Sequence, residues 1–464
     1  MNKKETEVIL QRIQKWYDRL PGLFIYDQRD FDAEYGWSKD PTPFNDRLSL
    51  DYKPIKEGDE WGGKWESAWF HLTGRVPEEW KGKSIAANLD FSGEGLVFSN
   101  DGEVIQGITN ASIWDPNFAR ARVPLIDSSK GGEDIELWVE AAANSLFGVF
   151  TDPDPEQDNP KRHGWFDAKV DTIKFGIFDS DLWHLYLDAR ILFGLIKRLD
   201  EKSVRRSRAI LAMNNCINAF CDDQSNSLKA RTCLEEELSK NSSASDLNVS
   251  AIGHAHIDTG WLWPVRETVR KCARTFANQL SIIDKYPDYI FGASQPQHYQ
   301  FMKDQYPELY ERIKDAVRSG NWEVQGGMWI EADCNLISGE SMVRQLLHGK
   351  NFFKDEFDIE VDNLWLPDVF GYSAALPQIL KRSGVNYFLT QKLSWSQFNE
   401  FPHHTFNWRG IDGTEILTHF PPENTYNSEL DTEFLLPAVT GFKEKDKLDE
   451  FISLFGVGNG GGGP

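Results

Sequence analysis

The first 240 residues change their pattern of hydrophobic and polar positions twice. The N-terminal MNKKETEVILQRIQKWYDRL is charged and amphipathic, which predicts a leading helix. From about Trp37 to Ile177 the chain consists of short apolar runs, such as SAWFHLTGRV, SIAANLDF and IELWVEAA, which are separated by clusters of Gly, Asn, Asp and Pro. This pattern is typical of antiparallel strands in a β-sandwich. From Asp179 to about Leu238 apolar residues recur every three or four positions, which predicts amphipathic helices. We therefore predict a β-sandwich domain with a leading helix over 1–178, and a helical connector with a linker over 179–246.

The rest of the chain alternates between strand-like and helix-like segments. The strand-like DLNVSAIGHAHID precedes a helix predicted from about Pro264 to Lys285, and further strands are predicted at YIFGAS, WEVQGGMWI, NLWLPD and VNYFLTQ, with helical segments between them. Repeated strand and helix predict an α/β domain over 247–464, in which helices cover a parallel sheet that is closed or open. In such folds the chemistry takes place at the carboxyl ends of the strands.

Composition and charge exclude several function classes. Asp and Glu number 72 against 50 for Lys and Arg, and the net charge of −22 repels nucleic acid and anionic lipid. The N-terminal segment lacks the apolar region of a signal peptide, and no stretch reaches eighteen apolar residues. The five cysteines form no CxxC pair, and the terminal GVGNGGGGP lacks the Lys-Ser/Thr of a phosphate-binding loop. We predict a cytoplasmic protein that binds neither nucleic acid nor a membrane.

The segment Gly253–Asp258, GHAHID, ends the first predicted strand of the α/β domain. Because side chains alternate along a strand, His254, His256 and Asp258 are expected to point to one face. Imidazole and carboxylate groups are suitable ligands for Zn²⁺, Co²⁺ or Mn²⁺. The structural alternative is a pair of hydrogen-bonded core histidines beside an Asp that caps a helix. We favour the metal site.

Two further segments place carboxylates at predicted strand ends. In LWLPDVFGY, Asp368 follows an apolar strand, where it could be a metal ligand, a base or a nucleophile, or could cap a helix near Ser373. In NWEVQGGMWIEADCN, Glu323, Glu331 and Asp333 stand among aromatic residues. Carboxylates and rings together bind hydroxyl-rich ligands, although ordinary packing also explains part of this pattern.

Five segments, in the order AIGHAHIDTGWLWPVRET, GNWEVQGGMWIEADCNLISGESMVRQLLHGKNFF, LWLPDVFGYSAALPQIL, LTQKLSWSQFNEFPHHTFNWRGIDGTEILTHFPP and FGVGNGGGGP, resemble glycoside hydrolase family 38, the class II α-mannosidases. The likeness spans residues 250–464 and is greatest to the cytosolic and vacuolar branch. It implies an N-terminal β-domain before a barrel-like catalytic domain of the seven-stranded family type. It also implies a retaining exo-α-mannosidase that hydrolyses terminal α-linked mannose in oligosaccharides by metal-assisted double displacement.

The resemblance assigns roles to single residues. The divalent metal, Zn²⁺ or alternatively Co²⁺, is implied to bind His256, Asp258 and Asp368, with His254 as a supporting group. Asp368 is also the implied nucleophile. The residues implied to contact the sugar are Trp261, Phe370 and Tyr426.

The chain departs from the family pattern in two places. The family usually has Asp within GDGGGG, a candidate acid/base, where this chain has Asn459. An amide cannot donate and recover a proton near neutral pH, so substrates with poor leaving groups should react slowly. Family members also continue beyond this block and take another His ligand from the later part, so we expect a truncated chain with an incomplete metal site.

Two other functions stay open. His-x-His and Asp at strand ends also occur in metal-dependent amidohydrolases and sugar deacetylases. A sugar-binding homologue without turnover would equally retain Trp261 and the carboxylates while lacking an acid/base. The resemblance leaves the vacuole as an alternative location, and, because relatives often associate, it also suggests a homo-oligomer.

Overall fold

A computed structural model describes residues 3–109, 119–144, 169–240, 247–459 and 462–464. The first part of the chain forms two antiparallel sheets, with strand orders β1-β10-β5-β8 and β3-β2-β4-β9-β6-β7. The strands are β1 (Ile25–Asp30), β2 (Asp32–Ser38), β3 (Tyr52–Pro54), β4 (Ser67–Arg75), β5 (Ile85–Asp90), β6 (Glu94–Ser99), β7 (Val104–Thr109), β8 (Arg122–Ile126), β9 (Asp134–Ala142) and β10 (Thr172–Phe178). Phe70 and Val139 of one sheet share a buried core with Leu89 and Phe175 of the other. This confirms the predicted antiparallel β-sandwich.

A helical cluster lies beside the sandwich. Its members are α1 (Lys3–Arg19), α2 (Ser180–Arg198), α3 (Val204–Phe220), α4 (Ser227–Thr232) and α5 (Glu235–Leu238). Trp16 of α1 is buried in one core with Leu185 of α2 and Phe220 of α3. The leading helix, which we grouped with the sandwich, thus packs against the predicted connector. No described helix has both the length and the hydrophobicity needed to cross a bilayer.

The α/β part contains two further sheets, with strand orders β13-β12-β11-β18 and β14-β15-β17-β16. Its strands are β11 (Asn248–His254), β12 (Phe291–Ala293), β13 (Trp322–Val324), β14 (Asn363–Leu366), β15 (Tyr387–Thr390), β16 (Thr405–Arg409), β17 (Glu415–His419) and β18 (Glu450–Phe455). Its helices are α6 (Val265–Lys285), α7 (Pro296–Gln305), α8 (Pro307–Ser319), α9 (Gly339–Phe357), α10 (Leu376–Arg382) and α11 (Thr432–Gly441). All described pairings between these strands are parallel except β16 with β17. The parallel α/β domain is therefore confirmed.

The two α/β sheets enclose a common core. Trp365 of β14, Leu389 of β15 and Leu454 of β18 pack together, with Ile252 of β11 against them. At one junction of the sheets the backbone N–H of Gly326 donates to Asn363 Oδ1 at 2.9 Å. At the other, the backbone N–H of Ile452 donates to His419 Nε2 at 3.4 Å. The carboxyl ends of β11 and β14 consequently open on the same side.

The strand predicted at WEVQGGMWI is shorter than expected, because only Trp322–Val324 is extended. Gly326 and Gly327 follow with φ of +91° and +59°, which a continuing strand does not allow. The residues after Gly327 therefore turn across the carboxyl ends of the strands. This turn carries Glu331.

The six-stranded sheet of the sandwich is buried on both faces. Ala68 and Phe70 of β4 face the sandwich core, whereas Trp69 belongs to the core that contains Val269 and Phe276 of α6. Alternation along one strand thus supplies two cores. The sandwich packs directly on the first helix of the α/β domain.

Candidate active site

Three predicted metal ligands converge beyond the ends of β11 and β14. His256 and Asp258 follow β11, and Asp368 lies two residues after β14. The Nε2 atom of His256 is 3.4 Å from Asp258 Oδ1 and 3.3 Å from Asp368 Oδ2. One ligand atom from each of the three residues lies within 4.8 Å of the other two.

This donor set fits a divalent cation. One imidazole nitrogen and two carboxylates are the ligand types that Zn²⁺ and related ions accept, and three protein ligands leave positions for a substrate. The His256 side chain is 3% exposed, whereas that of Asp258 is 31% exposed. The group is therefore fixed on the inside and open to solvent on one side, as a catalytic rather than a structural site requires.

A buried carboxylate lies behind the imidazole of His256. Glu331 Oε2 is 2.8 Å from His256 Nδ1, and Ser294 Oγ donates to Glu331 Oε1 at 2.7 Å. This contact turns Nε2 toward Asp258 and Asp368, as second carboxylates do for histidine ligands of zinc. Burial lowers the pKa of His256, but the charges of Glu331 and Asp258 more than offset it and raise that pKa well above its ordinary value. A bound cation would replace the imidazole proton at Nε2.

Glu331→Gln should weaken metal binding by about 10- to 100-fold, because the neutral amide no longer favours Nδ1–H on His256. Calorimetric titration with Zn²⁺ at fixed pH measures this. Asp333→Asn on the same turn is the matched control, since its carboxylate accepts from the backbone N–H groups of Asn335 and Leu336 instead. Equal affinity in the two variants would contradict a role for Glu331 in orienting His256.

A lysine that the sequence motifs do not single out lies against Asp368. Lys392 Nζ is 2.5 Å from Asp368 Oδ1, on a buried side chain. It lies 3.1 Å from the ring centroid of Trp395 and 4.7 Å from that of Phe370. Burial lowers the pKa of Lys392 to about 8, although the charge of Asp258 opposes this. One oxygen of Asp368 is thus held by Lys392 while the other faces His256.

The three predicted sugar-contacting rings lie in different surroundings. Tyr426 is buried, with its ring centroid 5.5 Å from that of His256. Phe370 is 71% exposed on the loop that carries Asp368, and Trp261 is 53% exposed on the loop that carries Asp258. Tyr426 therefore lines the metal-ligand cluster, whereas Phe370 and Trp261 are more exposed and lie on the loops beside it.

His254 lies outside the three-ligand cluster. It is buried, with ring centroids 5.5 Å from Trp365 and 6.4 Å from Tyr426. Burial, reinforced by the nearby His256, lowers the pKa of His254 to about 3, so its imidazole is neutral. The supporting role implied for His254 stays a prediction. Glu323, another candidate carboxylate, is exposed on β13.

Asn459 is next to the ligand segment. Its backbone N–H donates to the carbonyl oxygen of His256 at 2.6 Å, and the backbone N–H of Asp258 lies 3.4 Å from Asn459 Oδ1, which accepts from it. The backbone of Asn459 is left-handed, with φ of +57°, a conformation that Asn tolerates better than most residues. The side chain of Asn459 is thus turned toward the metal-ligand loop.

Comparison with known proteins finds two matching family models. The model described as glycosyl hydrolases family 38 N-terminal domain matches residues 246–464, and that described as alpha-mannosidase, jelly roll domain matches residues 32–168. Together they cover the α/β part and most of the sandwich.

The chain is also similar to curated α-mannosidases. Alpha-mannosidase G of Dictyostelium discoideum is 41% identical over 91% of this chain and 38% of its own length. Human alpha-mannosidase 2C1 is 37% identical over 91% of this chain and 40% of its own length. The alpha-mannosidase of Saccharomyces cerevisiae is 33% identical over 89% of this chain and 39% of its own length. The chain spans about two fifths of the length of these relatives. Since both the family models and these alignments run through its sandwich and its α/β domain, the chain belongs to glycosyl hydrolase family 38.

Proposed function

We propose that the chain carries the catalytic site of a metal-dependent retaining exo-α-mannosidase, which hydrolyses terminal α-linked mannose in oligosaccharides. The convergence of His256, Asp258 and Asp368 within 4.8 Å supports this most directly, because it joins a metal site to a partly exposed carboxylate. The substrate class follows from the names of the relatives, all of which are α-mannosidases. We further propose that the seven parallel strands act as one barrel-like domain over 247–464, behind a sandwich domain over 1–178 and a connector over 179–246.

His256, Asp258 and Asp368 would hold the cation, for which we propose Zn²⁺ with Co²⁺ as the alternative. When bound, it supplies a Lewis acid for sugar hydroxyl groups. Asp368 forms a bond from a carboxylate oxygen to the anomeric carbon as the glycosidic C–O bond breaks. Water then cleaves the glycosyl ester and regenerates Asp368. Lys392 fixes the carboxylate orientation for this attack, and Tyr426 provides an apolar wall.

The leaving group of the proposed reaction needs a proton from a general acid. A retaining enzyme places its second carboxyl about 5–5.5 Å from the nucleophile. Among the carboxylates described beside Asp368, Asp258 belongs to the ligand set and Glu331 is turned toward His256. Asn459 stands at the proposed acid/base position and cannot serve it.

Asn459→Asp should therefore raise kcat/KM for substrates with poor leaving groups by about 100-fold or more, because general acid catalysis contributes about 10² to 10⁴. Comparing a methyl α-mannoside with a dinitrophenyl α-mannoside measures this, since the second leaving group needs little protonation. A gain on the methyl substrate alone is expected. An equal gain on both, or none, would mean that position 459 is not the acid/base.

The function itself is tested by p-nitrophenol release from the α-mannoside and from the β-mannoside, before and after chelation and return of Zn²⁺. Metal-dependent release from the α-anomer alone supports the proposal. Release of acetate or ammonia from amide substrates would instead indicate a deacetylase or an amidohydrolase. Calorimetric binding of mannose without hydrolysis would indicate a sugar-binding protein. The cytoplasmic location and self-association stay predictions.

A further inference from the structure

An ionic cluster is buried between the sandwich and α6. Two acidic residues come from the sandwich, and one acidic and three basic residues come from α6. The members are Glu94 of β6, Glu140 of β9, and Glu267, Arg270, Lys271 and Arg274 of α6. With three negative and three positive groups the cluster is neutral, which is the condition for burying so many charges.

The cluster contains two sets of contacts, which Arg274 connects because it also lies 3.9 Å from Glu140. Lys271 Nζ is 2.8 Å from Glu94 Oε2, and Arg274 is 3.2 Å from the same oxygen. Arg270 pairs with Glu140 and is 3.1 Å from Glu267. Both sets join the same helix to the same sheet, so both fix how the sandwich sits on α6.

Lys271 has a further connection that Arg270 lacks. Its ammonium donates to the backbone carbonyl of Asn459 at 3.0 Å and lies 4.5 Å from the ring centroid of Trp263. Asn459 in turn is bonded to the backbone of His256 and Asp258, as described above. Trp263 follows Asp258 on the same loop. One buried ammonium therefore contacts the sandwich and both segments beside the metal ligands.

Residues of α6 and of the sandwich also contact the glycine-rich segment that follows β18 and contains Asn459. The side-chain amide of Gln279 on α6 donates to the carbonyl oxygen of Gly462. Arg120, in the loop before β8 of the sandwich, donates to the carbonyl oxygen of Gly463 at 2.5 Å. The segment after β18 is thus positioned by α6 and the sandwich together.

We propose that the N-terminal sandwich positions the metal site through Glu94, Lys271 and the backbone of Asn459, with Lys271 as the positioning residue. This inference rests on the proposed function, because it assigns the sandwich a part in that same site. Without the ammonium, the carbonyl of Asn459 loses this donor. The segment that holds the backbone of His256 and Asp258 is then held less firmly, although Gln279 and Arg120 still contact Gly462 and Gly463. We therefore expect the positions of the metal ligands to change and the metal affinity to fall, although no ligand is replaced.

The test compares two double variants that each remove one acidic and one basic residue, so that the net charge of the cluster stays zero. Glu94→Gln with Lys271→Met removes the contact to Asn459, whereas Glu140→Gln with Arg270→Met leaves it intact. Each variant keeps two acidic and two basic residues, and Arg274 keeps Glu140 in the first and Glu94 in the second, which favours folding. We expect the first variant to bind Co²⁺ about tenfold more weakly or worse, with an altered Co²⁺ absorption spectrum, and the second to stay within about twofold of the unsubstituted chain.

Thermal melts of both variants separate positioning from stability. Similar melting temperatures with unequal Co²⁺ affinities would support the inference. Equal affinities, or a loss of affinity that follows the melting temperature in both variants, would overturn it. If the unsubstituted chain bound Co²⁺ while Glu94→Gln with Lys271→Met bound it equally well, only this inference would fail. If the unsubstituted chain bound no Co²⁺, the proposed function would fail as well.

Discussion

Replacing Asp368 with asparagine is expected to abolish α-mannoside hydrolysis while the fold is retained. The amide keeps the shape of the side chain, but it is a poor nucleophile and carries no charge for Lys392 or a cation. Removing a nucleophile in this way costs roughly 10⁴ to 10⁶ in kcat. Stopped assays with p-nitrophenyl α-mannoside measure the loss, and circular dichroism checks the fold.

Asp362→Asn is the matched control for this substitution. Asp362 directly precedes β14, whereas Asp368 follows it, so both variants change one Asp to Asn beside the same strand. Because only the carboxyl end of β14 contributes to the proposed site, we expect the Asp362→Asn variant to retain its activity. Unchanged turnover in Asp368→Asn would remove Asp368 as the nucleophile.

Replacing His256 with alanine should cost the protein its bound metal. His256 supplies the single nitrogen ligand among the three converging residues, and its loss leaves the buried Glu331 with Ser294 but without the imidazole. We expect the affinity for Zn²⁺ to fall by more than about 100-fold. This is more than the loss expected when only a carboxylate that orients a metal ligand is removed. Elemental analysis after dialysis gives the metal content directly.

His419→Gln provides the comparison for this second prediction. His419 is also a histidine at the end of a parallel strand, but its ring bonds Thr405 and the backbone of Ile452 at the junction of the two sheets. Metal content should therefore be kept. Full occupancy in His256→Ala would exclude His256 from the ligand set.

The sequence allowed the candidate metal ligands to be identified, but it did not predict that they lie close together. Alternation along β11 predicts that His254, His256 and Asp258 share a face, and an apolar strand before Asp368 predicts a carboxylate at a strand end. That Asp368 meets His256 depends on the order of strands in the sheets. β11 and β14 belong to different sheets, and their neighbours are set by packing over the whole domain.

Contacts between segments far apart in the chain were out of reach of sequence patterns. Glu331 could be recognised as a carboxylate among aromatic residues, but its contact with His256 requires the turn that Gly326 and Gly327 allow. Lys392 left a weaker signal, a charged residue two positions after the apolar strand β15. In strand β4 of the sandwich, Trp69 lies between Ala68 and Phe70 and points to the opposite face of the sheet. A large aromatic ring on that face could have indicated that the sheet packs against a second element.

The pairing of β11 with β18 has a consequence for biosynthesis. The two strands are separated by about 200 residues, so at about 5–20 residues per second the ribosome delivers β18 some 10–40 s after β11. Until then His256 and Asp258 lack the backbone partners that follow β18. The sandwich is synthesised earlier, and Glu94 can already neutralise Lys271 on the newly emerged α6. The sandwich and α6 can therefore pack together before the segment that contacts the backbone of His256 and Asp258 has been synthesised.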